Sequence, residues 1–443
     1  MTYDEAVAYL ASLGHETVAI KLGLEKIRQL LIHLGDPQTK FAKVQIAGTN
    51  GKGSTAVMLD SICRAAGIRT ALFTSPHLIN PTERIRIDGQ DISTDDFARF
   101  ATLVRDAGAE LVEAGELPSS PTYFEHVTAM FLLAAAASKA ELAILETGLG
   151  GRLDATTAAD AEIVGITPIA LDHQEFLGDT LVEIAGEKAA IIRPGVVAVS
   201  APQLPEAAAV IKQRAEDRKV ELCWAEGEVD SIAVDGRGHL NVSLTTQGGR
   251  YENLRLGLPG RHQLTNLWTA IALAEALRER GWPIDETSVR TGLEKTRHPG
   301  RLEWWNGVPF FLFDGAHNPA GAKALAEYLR EFVAAPITLV FGAMREKDLS
   351  QIEAMLFPLA QSIILCEPDS PRAATVTQLR EAAPPGVDTE AIVLAWDVPT
   401  ALQTALAHTS NEGVICVTGS LYLIGEAQAC FESVRPEDLR RRE

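Results

Sequence analysis

The chain predicts an α/β fold in two parts. The first is a mostly parallel sheet domain that contains a P-loop and a small antiparallel insertion. The second is a Rossmann-like α/β domain. Three observations lead there. A glycine-rich run joins a β-rich stretch to a helix-like stretch near residue 50. Short apolar runs alternate with helical stretches over most of the 443 residues. The alternation breaks at His298-Pro-Gly-Arg301 and then starts again.

The glycine run is the most informative element. Phe41-Ala-Lys-Val-Gln-Ile46 reads as a strand, and Ala56–Ala66 reads as a helix closed by Gly67. Between them stand Gly48, Thr49, Asn50, Gly51, Lys52, Gly53, Ser54 and Thr55. Glycines let backbone N–H groups approach phosphate oxygens, and a helix N-terminus adds partial positive charge. Lys52 is the candidate for the outer phosphates, with Ser54 or Thr55 within reach of a Mg²⁺. The run departs from the common phosphate-loop pattern. Ile46 holds the place of its first glycine, and Gly53 holds the place of its Ser or Thr. The alternative is a glycine turn with a surface lysine; the flanking strand and helix argue for phosphate.

The other strands of the first part are Lys43–Ala47, Arg69–Phe73, Leu142–Leu145 and Glu162–Ile166. Each precedes a polar loop, and ligands gather at the carboxyl ends of such strands. Residues 219 to 258 alternate differently, with turns at Asp235-Gly-Arg-Gly238 and Gln247-Gly-Gly249, and read as the antiparallel insertion. Leu264–Arg280 is a helix ended by Gly281. Beyond the break the expected elements are strands at Pro309–Phe313, Ile337–Phe341, Ser362–Cys366, Ala391–Ala395 and Val414–Thr418, with a helix over Pro319–Phe332. The expected domains are 1–297 and 298–443. The second carries no phosphate loop of its own, so it is expected to complete a site.

A hydrophobic share of 46% with 22% charged residues describes an ordinary globular chain. The net charge of −19 argues against nucleic-acid and membrane-surface binding, which need a positive field. Five scattered cysteines suggest neither a disulfide framework nor a zinc knuckle, which fits the cytoplasm. The acidic start, Met1-Thr-Tyr-Asp-Glu, does not read as a signal peptide.

Several residues stand where chemistry is expected. Glu146 ends an apolar strand, where a carboxylate is costly unless solvated or bound to a cation. Asp172 and His173 follow the next strand. Thr180-Leu-Val-Glu183 is a capping box, and Lys188 falls in the apolar stripe of the helix it starts. Such a lysine either snorkels to water or is held inside a site, where a carbamate formed with CO₂ would be an anionic oxygen ligand. Asp314 and His317 lie in a loop before Asn318 and Pro319, which are strong helix-start signals. Arg301 can bring a cation to a transferred phosphate or remain a solvated linker residue.

Together these motifs resemble the Mur ligase superfamily, in its folylpolyglutamate synthase/dihydrofolate synthase family. The resemblance covers nearly the whole chain. Its carriers include Lys21-Leu-Gly-Leu24, Gly48–Ser54, Thr74-Ser-Pro-His-Leu78, Glu83-Arg-Ile-Arg86, Glu146–Ala155, Leu171-Asp-His173, Glu187-Lys-Ala189, Gly260-Arg-His-Gln263, Pro299-Gly-Arg-Leu302, Asp314–Pro319 and Thr418-Gly-Ser-Leu421. The resemblance implies ATP and two Mg²⁺ as cofactors. It implies dihydropteroate or folate and L-glutamate as small-molecule substrates, and a monomer. Ser75, Glu146 and His173 would ligate one Mg²⁺, and a carbamylated Lys188 would serve the second. Asn266, Arg301 and Asp314 would contact ATP from the far side. His317 and Ser420 would face glutamate, and Thr122, Phe124, Asp154 and Ala155 would line a pterin pocket. Two positions depart from the family: Ala190 replaces a glycine and Thr157 an asparagine. The rival readings are a dedicated folylpolyglutamate synthase, another Mur-type amide ligase acting on a peptidoglycan precursor, and a non-catalytic nucleotide switch. Tyr123-Phe-Glu125 speaks against the second, and the presence of Lys52, Glu146, His173 and Lys188 against the third.

Overall fold

The computed structural model describes residues 1–14 and 23–432. Lys21 and Leu22 of the motif Lys21-Leu-Gly-Leu24 lie outside the described residues. The strands, in chain order, are β1 Ala42–Ala47, β2 Thr70–Phe73, β3 Ile85–Ile87, β4 Gln90–Asp91, β5 Leu142–Glu146, β6 Ile163–Ile166, β7 Val197–Ser200 and β8 Leu222–Trp224. They form one sheet in the order β4-β3-β2-β5-β1-β6-β7-β8. From β2 to β8 every pairing is parallel, and β3 and β4 add an antiparallel edge.

The apolar runs explain this sheet. All five residues of β5 and all four of β2 and β6 are buried, as parallel strands covered on both faces must be. One face packs on the helices Lys52–Ala65 and Gln263–Glu279 around Ile46, Leu59, Ile62 and Leu273. The region of β2 and β5 packs its other face on Thr94–Glu113 and Tyr123–Ala137 around Phe73, Phe97 and Phe131. β1 lies between β5 and β6, so a crevice opens at its carboxyl end, beside the glycine loop.

A three-stranded antiparallel sheet follows: β9 Glu228–Val234, β10 His239–Thr245 and β11 Arg250–Pro259, in the order β11-β10-β9. The expected insertion over 219–258 is therefore too long at its start. Leu222–Trp224 pairs parallel with Ala198–Ser200 and belongs to the main sheet. Three half-buried residues are too few to reveal a period, so only the pairing decides their membership.

The last sheet contains β12 Glu303–Trp305, β13 Phe310–Asp314, β14 Ile337–Phe341, β15 Ser362–Cys366, β16 Ile392–Ala395 and β17 Val414–Thr418. Its order is β12-β13-β17-β14-β15-β16, with β12 alone antiparallel. We propose the division 1–297 and 298–443, since all six of these strands follow the break and the other two sheets precede it. Among the described residues no helix is long and apolar enough to cross a membrane.

The helix Leu349–Leu356 in this last part buries Glu353 completely, with no partner on either carboxylate oxygen. Burial pushes its carboxyl up to about 8. The folded chain then holds a proton that the unfolded chain releases above the ordinary carboxyl value, so stability falls as pH rises toward 8. Glu353→Leu is expected to flatten that slope in chemical denaturation and to add on the order of 2 kcal/mol at pH 8. Identical slopes in the two proteins would remove this account of Glu353.

Candidate functional site

The carboxyl ends of the two large sheets face one cavity of about 450 Å³. Its walls include Gly48–Ser54, Ser75, Thr122, Phe124, Glu146, Asp154, Ala155, His173, Lys188, Asn266, Arg301, Asp314, His317 and Ser420. These positions come from opposite ends of the chain, and only the apposition of the two sheets brings them together. Thr55, the alternative to Ser54 for reaching a Mg²⁺, does not line the cavity; its hydroxyl is buried inside the helix packing.

Gly51, at φ +85°, is the N-cap of the helix Lys52–Ala65. A Cβ there would lie 2.1 Å from Asn266 Oδ1, so the loop needs glycine both for its backbone and for its neighbour. The Lys52 Nζ donates to the carbonyls of Gly48 and Thr49, each at 3.1 Å. Burial lowers its ammonium, while Glu146 and Asp172 oppose the fall. Glu146 ends β5 and accepts the Ser75 N–H at 3.1 Å. Burial raises its carboxyl, with Lys52 and Arg301 working against the rise. Lys188, buried on the helix Leu181–Ala189 that Thr180 caps, donates to the Gly48 carbonyl at 2.8 Å. Burial, then the neighbouring Lys52, brings its amine down to about 7. His173 stands in the left-handed region at φ +52°, a strained placement for a non-glycine residue. Burial and then Lys347 hold its ring neutral, at about 3.

The pterin-side candidates form one corner. Thr122 caps the helix Tyr123–Ala137, which aims Phe124 at the cavity. A Cβ on Gly148 would lie 2.5 Å from the Phe124 ring, so glycine lets that ring lie against the backbone. Asp154 accepts from the Leu149 N–H at 2.9 Å and from the N–H and hydroxyl of Thr156 at 3.0 and 2.5 Å.

From the other sheet, Asp314 accepts the N–H groups of Leu302 and Ala316, both at 3.0 Å. Arg301 donates to the Gly315 carbonyl at 3.2 Å. His317 Nδ1 lies 2.7 Å from the same carbonyl, and burial brings the ring down to about 4. A carbonyl only accepts, so Nδ1 carries the proton and Nε2 keeps its lone pair. The Ser420 hydroxyl oxygen accepts the Tyr422 N–H at 3.1 Å.

Two features went unread in the sequence. His298 Nδ1 lies 3.3 Å from the Ser54 hydroxyl, where the Pro-Gly break meets the glycine loop. The larger one is the set of partners that gathers on Asp172, a residue whose place at this sheet edge was itself legible. Its carboxylate takes the Lys347 ammonium at 2.5 Å and the Asn318 amide at 3.0 Å. Burial pushes this carboxyl up, but Lys347, His173 and His317 together hold it well below the usual range. Asn318 also donates to Asn50 at 3.0 Å while its oxygen caps the helix Pro319–Phe332. The signal available for Lys347 was its place in the loop that follows an apolar strand.

The model for the Mur ligase middle domain matches residues 46–274, and that for the Mur ligase, glutamate ligase domain matches residues 300–421. The chain is 35% identical over 438 residues to a probable bifunctional folylpolyglutamate synthase/dihydropteroate synthase of Haloferax volcanii, covering 97% of this chain and 51% of that protein. It thus spans about half the length of that archaeal relative. It is 34% identical over 433 residues to the dihydrofolate synthase/folylpolyglutamate synthase of Bacillus subtilis, covering 96% and 98%. Among solved structures, Mycobacterium tuberculosis folylpolyglutamate synthase complexed with ADP superposes with a TM-score of 0.90 at 33% identity, covering 97% and 98%.

Removing one partner of a buried ion pair costs about 3–5 kcal/mol, because the other charge is stranded. Lys347→Met is therefore expected to lower the thermal unfolding midpoint and to speed hydrogen exchange at the start of the helix Pro319–Phe332. Adding Asp172→Asn should recover part of the loss, with a coupling of about 1 kcal/mol or more in the double-mutant cycle. Strict additivity would deny the pair its role across the cavity.

Proposed function

The chain belongs to the Mur ligase family, in its folylpolyglutamate synthase/dihydrofolate synthase branch, and from that membership we propose that it ligates L-glutamate to dihydropteroate and to folates at the expense of ATP. The observation that carries the proposal is the shared cavity, which joins a phosphate loop, a slot beside Phe124 and a neutral histidine from the opposite sheet.

In this reading the backbone of Gly48–Ser54 and Lys52 hold the ATP phosphates, and Asn266, Arg301 and Asp314 close on the nucleotide from the far side. The substrate's aromatic ring lies beside Phe124, with Thr122, Asp154 and Ala155 around it. Its carboxylate attacks the γ-phosphorus and ADP leaves, giving an acyl phosphate. Lys52 and Arg301 offset the charge that builds on the phosphoryl oxygens. His317 and Ser420 receive L-glutamate. The lone pair on His317 Nε2 takes the proton as the amino group attacks the acyl carbon, and phosphate departs. Burial under both sheets keeps water from the acyl phosphate.

The residues present fit Mg²⁺. Among the described residues there is no ready cluster of three or more His, Cys, Asp or Glu groups. Glu146, a buried carboxylate, and neutral His173 suit a cation that the Ser75 hydroxyl and phosphate oxygens would also help to hold. A plain Lys188 ammonium would repel it, whereas a carbamate would supply anionic oxygen to a second ion. Bound there, the metal would neutralise phosphate charge. An amine that titrates near 7 has a free lone pair in a large fraction of molecules at neutral pH, and that fraction grows as pH rises. We further propose a monomer of the cytoplasm; Cys63, Cys366 and Cys416 are buried thiols outside any disulfide, which agrees with a reducing compartment.

The deciding experiment is ATP- and Mg²⁺-dependent incorporation of labelled L-glutamate, with dihydropteroate or a reduced folate monoglutamate as acceptor. Product from both is expected. Product from the folate alone would reduce the function to polyglutamylation, and product from neither would overturn the reading. Lys52→Ala and Lys188→Ala should each lower kcat by about a hundredfold or more. Stripping CO₂ and bicarbonate from the wild-type enzyme should lower its rate, and restoring CO₂ at a fixed partial pressure should bring the rate back faster at pH 8 than at pH 6. A rate indifferent to bicarbonate would leave Lys188 an ordinary amine.

A further inference from the structure

Beneath the pterin-side corner lies a buried polar group that the proposed chemistry does not use. Gln45, on β1 one residue before the run into the glycine loop, is fully buried. Its amide Nε2 lies 2.7 Å from the Thr157 hydroxyl, 3.0 Å from that of Thr156 and 3.2 Å from that of Thr147. Thr147 directly follows Glu146, and Thr156 and Thr157 directly follow Asp154 and Ala155. One side chain thus touches the strand of the phosphate loop, the strand of the candidate metal carboxylate and the loop of the substrate corner.

The proton directions in this cluster are determined by its outer members. Each hydroxyl has one proton. That of Thr157 goes to the Gly151 carbonyl at 2.7 Å, which only accepts. That of Thr156 goes to Asp154 Oδ1 at 2.5 Å. Both hydroxyls therefore need a donor behind them, and Gln45 must present its N–H₂ face. The cost is visible on its other atom: Gln45 Oε1 is buried with no partner. A residue kept at that cost is kept for its donors. Thr157, the departure from the family's asparagine, takes part as a hydroxyl that accepts from Gln45 while donating onward.

We propose that Gln45 is a positioning residue for the substrate corner: its amide, acting through Thr156 and Thr157, holds the Gly148–Thr157 loop and turns Asp154 to the cavity as an acceptor. The proposal rests on the pterin-side reading above. Asp154 takes the N–H groups of Leu149 and Thr156 and the Thr156 hydroxyl from its own loop, and the Gly148 N–H also favours its charged form. These donors set the plane of the carboxylate, and with it the direction in which its cavity-facing edge can accept an N–H of the bound heterocycle.

The test exploits polarity. Gln45→Glu keeps the volume but loses both N–H donors, and even when protonated it offers a single O–H, which cannot serve Thr156 and Thr157 together. The KM for dihydropteroate should rise about tenfold or more, with the KM for ATP within about twofold of wild type. Thr156→Val should show the same split and Thr156→Ser should not, which covers a Gln45 variant that fails to fold. Without any substrate, deuterium uptake over 148–157 should rise in Gln45→Glu and Thr156→Val but stay at the wild-type level in Thr156→Ser and over Gly48–Ser54. Wild-type uptake over 148–157 in both disruptive variants would overturn the proposal. So would parallel rises in both KM values, which would mean general loosening of the sheet. If the wild-type protein glutamylates no pteroate or folate, the functional reading falls, while the uptake experiment still decides what Gln45 does.

Discussion

The structure turns on one constraint: a carboxylate buried at the meeting of two sheets has to find its countercharge on the far side. Asp172 rises from the first sheet and its ammonium partner, Lys347, from the last. Neither half could bury its own charge alone without a penalty of several kcal/mol. Asn318 reinforces the arrangement, because one side chain caps a helix of the last domain and bonds both Asn50 and Asp172 of the first. The glycine loop and the His317 loop are thereby held against the same cavity.

Burial sets the chemistry of that cavity as well as its shape. Lys52, Lys188, His173 and His317 are all driven toward their neutral forms, and Glu146, Asp154 and Asp314 toward theirs. The result is a site whose charged forms are held at a desolvation cost. Phosphates and a cation would lower that cost by supplying countercharge. Such a site favours phosphoryl chemistry because its strongest attractions are reserved for groups that arrive with the substrates.

A second layer sits under the first. Gln45, Thr147, Thr156 and Thr157 are out of contact with solvent, yet their hydroxyls and amide fix the direction of hydrogen bonds that end at the cavity wall. A polar cluster in a parallel sheet is expensive, and an apolar one would pack as well. Its presence beneath Asp154 ties the candidate substrate corner to the strand that carries the phosphate loop.

Much of this was legible in the sequence. Covered parallel strands read as continuous apolar runs, so β1, β2, β5, β6, β14, β15 and β17 were visible to within a residue or so. Caps with their own chemistry, Thr180 with Glu183 and Asn318 with Pro319, marked helix starts because those interactions are local. Short strands at or near the sheet edges, such as β3, β4, β8 and β12, were not visible, since two or three residues carry no period and pairing alone defines them. The glycine loop with Lys52 and the strand-end Glu146 announced a phosphate site by themselves. The roles of Asp172, Lys347, His298 and Gln45 did not emerge, because each depends on a partner far along the chain. Asp172 and Lys347 are 175 residues apart. Local pattern determined the elements and the phosphate loop of this protein. Only the apposition of two sheets decided which charges meet, since an ion pair or a hydrogen-bond direction is a property of distance in space and not of position in sequence.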